Sequence, residues 1–340
     1  MTKFVIVAGE SSGDLLGSKI IASIRDHCPD ATFEGIAGPK MAQAGCKQWF
    51  SSSELSVMGI FGVLKHLPRI LKVRKELTQK ILKNPPDAFI GIDAPDFNLK
   101  LEEKLKHKGI KTIHVVSPSF WAWRKNRVKA LSQSVDLLLY LFPFEESLLK
   151  EHNVNAVFIG HPLADSIQQK IDLQAARNNS ELKAKIVVAL MPGSRSSEIN
   201  RHAKLFFEAA KLLTNKLEDI EFVIPVVDSK IGEQIKKILD LYLTDLTVTI
   251  TDSTHSALSV SDLVITKSGT STLEAALHKK PMVVVYKMSS LSYWFLKIFN
   301  IVNIEYIALP NILLGKKLVP ELIQENASSK AIFAESLFWI

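Results

Sequence analysis

Cysteine is almost absent from this chain. Two residues of 340, Cys28 and Cys46, are too few for a disulfide framework or a four-cysteine zinc site. Both read as ordinary thiols of a reducing compartment. Long apolar runs are also missing, the longest reaching about half of the ~18 residues that span a bilayer. Met1-Thr2-Lys3 passes straight into Phe4–Ala8, too short for a signal h-region. A cytoplasmic or peripheral protein is therefore expected. The nine histidines show no H-x-x-x-H spacing and no Asp-x-Asp triplet occurs, so no metal site and no cofactor is expected. With only 15 Gly and 14 Pro against 47% hydrophobic residues, disordered and low-complexity classes are excluded.

What is present is a surplus of positive charge, +7 overall, and it is unevenly placed. Lys65–Lys83 holds seven basic residues against Glu76, and Lys100–Lys129 holds nine against Glu102 and Glu103. These two stretches carry +13 together, which leaves −6 for the remainder. The total suggests an anionic partner; the location puts that partner on the first half of the chain.

The length exceeds what one core normally serves, and strand and helix patterns alternate throughout. Strands are expected at Phe4–Ala8, Phe33–Ala37, Asp87–Ile92, Lys111–Val116, Val135–Leu141 and Val157–Ile159. A polar linker is expected at Ile167–Lys185. A second series follows at Ile186–Leu190, Phe222–Val227, Thr247–Ile250, Leu263–Ile265 and Met282–Tyr286. Strands that are apolar on nearly every residue and alternate with helices imply parallel sheets covered on both faces. The expected fold class is α/β, with two Rossmann-like domains, 1–165 and 166–340, facing a cleft. Ligands of such sheets bind beyond the carboxyl ends of the strands, so the loops there carry the chemistry.

Lys267-Ser-Gly-Thr-Ser-Thr-Leu-Glu274 follows one strand and opens a helix expected over Ser271–His278. Ser268, Gly269 and Thr270 let a ligand approach the backbone, the helix end suits a phosphate, and Glu274 suits a ribose diol. A plain helix start fits equally well, with Thr270 or Ser271 as cap and Glu274 closing a capping box. Met191-Pro-Gly-Ser-Arg195 adds a turn at Gly193, a hydroxyl at Ser194 and a guanidinium at Arg195 that can fork onto phosphate. In the first half, Gly9-Glu-Ser-Ser-Gly-Asp14 departs from the dinucleotide fingerprint, and its acids disfavour a pyrophosphate. A sugar-hydroxyl site is the better expectation there. Gly91-Ile-Asp-Ala-Pro-Asp-Phe97 brings Asp93 and Asp96 to a strand tip, where a partly desolvated Asp93 suits a general base. The alternative is a cap for the following helix, a role closer to Asp96.

Ile60, Phe61, Val63, Leu64 and Leu67 form an apolar cluster, and Pro68 is expected to start a new helix with Arg69, Lys72, Arg74 and Lys75 on it. Apolar residues beside a basic face suit an interfacial membrane element, or a helix packed on the sheet with a solvated charged face. Ser117-Pro-Ser-Phe-Trp-Ala-Trp-Arg124 sets aromatics beside cations, as lipid headgroups or nucleic acid require.

Together these motifs resemble the lipid-A-disaccharide synthase family. The resemblance rests on Val7–Asp14, Gly35-Ile-Ala-Gly-Pro39, Val57-Met-Gly-Ile60, Gly91–Phe97, Val116–Ser119 with Trp121–Arg124, Phe158-Ile-Gly-His161, Pro192–Arg195, Ser268–Thr270 with Leu273-Glu274, and Leu309-Pro-Asn-Ile-Leu313. It implies a GT-B glycosyltransferase fold and an inverting transfer. UDP-2,3-diacylglucosamine would be held by the C-terminal domain and 2,3-diacylglucosamine 1-phosphate by the N-terminal one, giving a β(1→6) disaccharide and UDP. On that resemblance Asp93 is the base for the acceptor hydroxyl, with Glu10 beside it as a second catalytic candidate. Ser194, Arg195 and Ser268–Thr270 hold the diphosphate, Glu274 the ribose, and Asn311 lies near the donor. Glu10, Ser12, Gly13, Asp14 and Asp96 line the acceptor side.

Acylated substrates favour the membrane reading of Val57–Lys83, on anionic lipid at the inner face of the cytoplasmic membrane. A homodimer remains open, and nucleic acid drops out as a partner. The apolar ending Phe333–Ile340 reads as a C-terminal domain cut short. That keeps alive a catalytically silent nucleotide-lipid binding protein, and a UDP-N-acetylglucosamine 2-epimerase is the rival of the same fold.

Overall fold

A computed structural model describes residues 2–55, 60–118, 127–168, 172–242, 246–288 and 305–340. The side chains of Ser11, Ile60–His66 and a few other helical positions are also outside the description. The chain divides into two compact units, Met1–Pro162 and Leu163–Ile340.

The first unit is a seven-stranded, all-parallel sheet in the order β3-β2-β1-β4-β5-β6-β7. Its strands are β1 (Lys3–Ala8), β2 (Thr32–Ala37), β3 (Cys46–Ser51), β4 (Ala88–Ile92), β5 (Lys111–Val115), β6 (Leu137–Tyr140) and β7 (Ala156–Phe158). The alternation of strand residues between the two faces decides the core. Ile6 and Ala8 of β1 pack with Leu16 and Ile21 of the helix Ser11–His27 on one side. Val5 and Val7 pack with Val73, Leu77 and Ile81 of the helix Ile60–Lys83, and with Leu101 and Leu105 of the helix Pro95–Lys106, on the other. β1 is buried on both faces, which is why it reads as an unbroken apolar run.

The second unit repeats the plan with six parallel strands in the order β10-β9-β8-β11-β12-β13. They are β8 (Ile186–Met191), β9 (Ile220–Pro225), β10 (Val248–Thr251), β11 (Leu263–Lys267), β12 (Met282–Tyr286) and β13 (Glu321–Ile323). Val188 and Leu190 face the helices Ser196–Lys216 and Ser329–Trp339 through Phe206, Phe207 and Ile332. Val187, Ala189 and Met191 face the helix Thr254–Val260 through Ala257 and Leu258.

Three expectations are corrected. The helix begun at Ile60 runs unbroken to Lys83 with Pro68 inside it, so Pro68 starts nothing; the burial of Val73, Leu77 and Ile81 holds the helix across a residue that lacks an N–H. The segment 167–185 is more than a linker. The helix Leu173–Asn178 is capped by Asp172 and sends Arg177 to an ion pair with Asp262 and a 3.1 Å bond to the Val260 carbonyl, while Leu182 and Ala184 are buried. The edge strands β3 and β13 were not expected at all.

Candidate active site

In both sheets the chain leaves the two central strands in opposite directions, between β1 and β4 and between β8 and β11. These are the topological switch points, where ligands of open parallel sheets bind.

At the first of them, β1 ends at Ala8 and β4 at Ile92. Glu10 is half-buried and stands at the N-cap position of the helix Ser11–His27, Ser12 is exposed, and Gly13 is buried against Ile92. Asp93 and Ala94 follow β4 with φ of 50° and 45°, the left-handed region. The Asp93 N–H donates to the Val115 carbonyl at 2.9 Å, and its carbonyl accepts from Asn98 Nδ2 at 2.8 Å. Asp93 is half-buried and Asp96 exposed, one residue into the helix Pro95–Lys106, whose cap position is Ala94 and has no side-chain cap bond.

Asp14 departs from the expectation that it lines a sugar site. Its carboxylate accepts the Gly38, Lys40 and Met41 N–H groups at 2.9, 2.9 and 3.0 Å, and only 3% of the residue is exposed. It is the buried anion at the start of the helix Pro39–Gln43, and three backbone amides take most of its acceptor capacity.

Beneath the Asp93 turn lies a buried pair that sequence reading missed. Glu102 Oε1 meets His114 Nδ1 at 2.8 Å with neither side chain exposed. Burial drives the Glu102 carboxyl up from its ordinary range, partly countered by His114.

At the second switch point, Gly193 turns the chain after β8 with φ 141°. A Cβ there would lie 2.5 Å from Glu198 Cβ, so the loop closes onto Glu198 only with glycine. Glu198 then gathers three donors: the Ser194 N–H at 3.1 Å, Arg195 Nη1 at 3.4 Å and Lys267 Nζ at 2.9 Å. Lys267 Nζ also stands 3.5 Å from where a Gly269 side chain would begin, so the ammonium overhangs the start of the helix Thr270–Leu277. Burial pushes the Glu198 carboxyl up, but the Lys267 ammonium and the other donors outweigh it and hold the group below its usual range. Behind it, His202 Nε2 accepts from the Lys287 N–H at 3.0 Å and Nδ1 meets the Glu198 carbonyl at 2.9 Å. With Nε2 an acceptor, Nδ1 carries the proton, and burial keeps this imidazole neutral.

The helix after β11 is capped at Gly269 without a side chain, so neither Thr270 nor Ser271 fills that place and no capping box with Glu274 forms. Ser271 Oγ donates back to the Lys267 carbonyl at 3.0 Å. Ser194 and Thr270 are exposed; Arg195, Ser268, Gly269 and Glu274 are half-buried. Burial raises the Glu274 carboxyl. Ser268 Oγ donates to the Ile307 carbonyl at 2.7 Å, which draws residues 307–311 over the helix start. Asn311, expected near the donor, has an amide that is not free to bind one. It has no exposed surface, Nδ2 donates to the Val319 carbonyl and Glu321 Oε1, and Oδ1 accepts the Leu318 and Val319 N–H groups. All four bonds of the amide are taken by the protein, so Asn311 braces the loop.

On the helix Ile60–Lys83, the side chains of Ile60, Phe61, Val63 and Leu64 lie outside the described residues. Leu67 and Leu71 are exposed at 38% and 43% on a surface that also carries Arg69, Lys72 and Lys75. Arg69 pairs with Glu54 at 2.6 Å, Lys72 lies 3.9 Å from Glu76, and Arg74 reaches the Asp96 carbonyl at 3.4 Å. The aromatic motif Trp121–Arg124 is outside the description. No helix among the described residues is long and apolar enough to cross a membrane.

Two Rossmann-type parallel units, the second with a cation-rich glycine loop at its switch point, define the GT-B class of glycosyltransferase folds. The family model for lipid-A-disaccharide synthetase matches residues 4–339. The lipid-A-disaccharide synthase of Pseudoalteromonas translucida is 46% identical over 325 residues, 95% of this chain and 84% of that one. The chain belongs to the lipid-A-disaccharide synthase family. Among solved structures, MurG of Acinetobacter baumannii matches with a TM-score of 0.56 at 13% identity, covering 99% of this chain and 90% of MurG. MnaA of S. aureus, in its UDP co-structure, matches at 0.61 and 13%, covering 98% and 91%. At that identity the likeness shows the fold alone.

Proposed function

We propose that this chain is the inverting glycosyltransferase that joins UDP-2,3-diacylglucosamine to 2,3-diacylglucosamine 1-phosphate, forming the β(1→6) disaccharide 1-phosphate and UDP. The observation that carries the reading is the family match over residues 4–339, which spans the loops at both switch points. Asp93 takes the proton of the acceptor 6-hydroxyl as that oxygen attacks the anomeric carbon from the face opposite UDP. A strand-tip carboxylate on a strained turn supports that role. Glu10, Ser12, Gly13 and Asp96 border the acceptor in domain 1–165.

In domain 166–340, Ser194, Arg195 and Ser268–Thr270 bind the diphosphate, and Glu274 the ribose. Charge gathering on the leaving diphosphate is met by Arg195, Lys267 and the helix start. The helix Ile60–Lys83 serves two ends: Val73, Leu77 and Ile81 fix it to the sheet, while Leu67 and the basic residues around it dock on anionic lipid at the inner face of the cytoplasmic membrane.

The test is incubation with both substrates, followed by mass spectrometry for UDP and disaccharide and NMR for the anomeric configuration. Equimolar UDP and β-linked disaccharide are expected. Folded protein that yields neither, or an α-linked product, overturns the reading. Asp93→Ala should lower kcat by about 10²–10⁴-fold with UDP binding retained.

A further inference from the structure

The turn that carries Asp93 is held by a side chain with no part in the reaction as described so far. Two successive non-glycine residues, Asp93 and Ala94, are left-handed, a conformation that persists only where neighbours impose it. The Asp93 N–H is fixed to strand β5 through the Val115 carbonyl. Its carbonyl is fixed by Asn98, whose Nδ2 donates to it at 2.8 Å and lies 3.4 Å from the Ile92 carbonyl. Asn98 has no exposed surface, so water does not compete for these bonds. Its orientation is determined, because the flipped amide would set an oxygen against two carbonyls.

Room for this arrangement comes from Gly91, where a Cβ would collide with Glu102 Oε1 and stand 3.1 Å from Asn98 Cβ. Asn98 and Glu102 lie one turn apart on the helix Pro95–Lys106 and reach the same glycine. The helix thus presses two polar side chains beneath the strand tip. Of these two side chains, Asn98 is the one that bonds to the backbone of Asp93.

We propose that Asn98 is a positioning residue for the glycosyl transfer: its amide imposes the left-handed turn that directs the Asp93 carboxylate. The proposal rests on the reading of Asp93 as the base. Loss of the amide lets residues 93–94 relax to right-handed or extended backbone. The carboxylate then moves by an ångström or more, while substrate binding surfaces elsewhere stay in place. An aspartate at 98 would face two carbonyls and push the turn away.

The experiment compares kcat and KM of the full chain with those of Asn98→Ala, Asn98→Ser, Asp93→Ala and the double variant Asn98→Ala/Ala94→Gly. Asn98→Ala should lower kcat about 30-fold with KM within about twofold, the pattern of a misplaced catalytic group. Asn98→Ser, close to Ala in size with a hydroxyl too short to reach the Asp93 carbonyl, should lose about as much. Adding Ala94→Gly should recover about fivefold, because glycine enters the left-handed region freely. Three results overturn the proposal: folded Asn98→Ala with normal kcat, a change confined to KM, or no recovery on adding glycine. Should Asn98→Ala fail to fold, the same comparison is read from Asn98→Ser with and without Ala94→Gly. An active Asp93→Ala would instead overturn the base reading, which separates the two failures.

Discussion

Lys267 Nζ and Glu198 Oε1 meet at 2.9 Å, joining the end of β11 to the first turn of the helix that follows β8. Their side chains are only 18% and 12% exposed, so each charge depends on the other for what water would otherwise supply. The same carboxylate holds the Ser194 N–H and Arg195, and one residue therefore organises the whole cation cluster of this loop.

Replacing Glu198 by Gln should leave Lys267 buried with a weaker partner and cost about 1–3 kcal/mol of stability at neutral pH. The pH dependence has a definite sign. A carboxyl held below its ordinary value contributes stability that is present above the unfolded-state pKa and is lost as pH falls through the depressed one. The gap between wild type and Glu198→Gln, measured by urea unfolding, should thus be widest near pH 7 and shrink below about pH 4. A gap independent of pH would show that charge is not what matters.

Glu145 gives the opposite slope. It is 4% exposed, accepts the Phe142 N–H at 3.1 Å, and burial raises its pKa to about 7, against the opposing bonds from Ser117, Phe142 and Leu141. A raised carboxyl contributes stability fully present below the unfolded value of about 4.5 and lost as pH rises through the folded one. Glu145→Gln keeps an acceptor for Phe142 and cannot ionise. Relative to it, wild type should lose on the order of 3 kcal/mol between pH 4.5 and 8. Unfolding midpoints that move in parallel across that window would contradict the assignment.

The interior of each sheet and one of its edges, β7 and β10, were legible in the sequence, and the opposite edges, β3 and β13, were not. Val5-Ile-Val-Ala8 and Val187-Val-Ala-Leu190 are buried on both faces, so each residue had to be apolar. β3 carries exposed Lys47 and Gln48, and β13 is three residues long, because an edge strand is covered on fewer sides. The loops were found from their glycines and small residues, whereas Glu198 was missed because its partner Lys267 lies 69 residues further along the chain. Asp14 and Asn311 show the converse. Their motifs drew attention to them, yet only the tertiary structure reveals that Asp14 is held by three backbone amides and that Asn311 spends its amide within the protein.

Asp14 should behave as a helix cap in consequence. Asp14→Ala removes the acceptor for three amides and should cost about 2 kcal/mol. Hydrogen exchange at Gly38, Lys40 and Met41 should accelerate first, since those N–H groups lose their partner directly. If exchange there is unchanged while activity collapses, Asp14 faces substrate after all.

The fully buried Glu102–His114 pair should be far costlier to break than to replace. Either Glu102→Leu or His114→Phe alone strands a polar group that no water reaches, at about 3–5 kcal/mol. Removing both leaves nothing to satisfy except volume, and the double variant should be destabilised by clearly less than the sum of the singles. His114 Nε2 strengthens that expectation, because it is buried with no hydrogen-bond partner among the described residues even in the intact pair. A denaturant-unfolding cycle measures the coupling. Additive losses would mean that the 2.8 Å contact contributes no net stability and that apolar packing through Phe97, Leu101 and Leu105 holds the helix Pro95–Lys106 to the sheet without it.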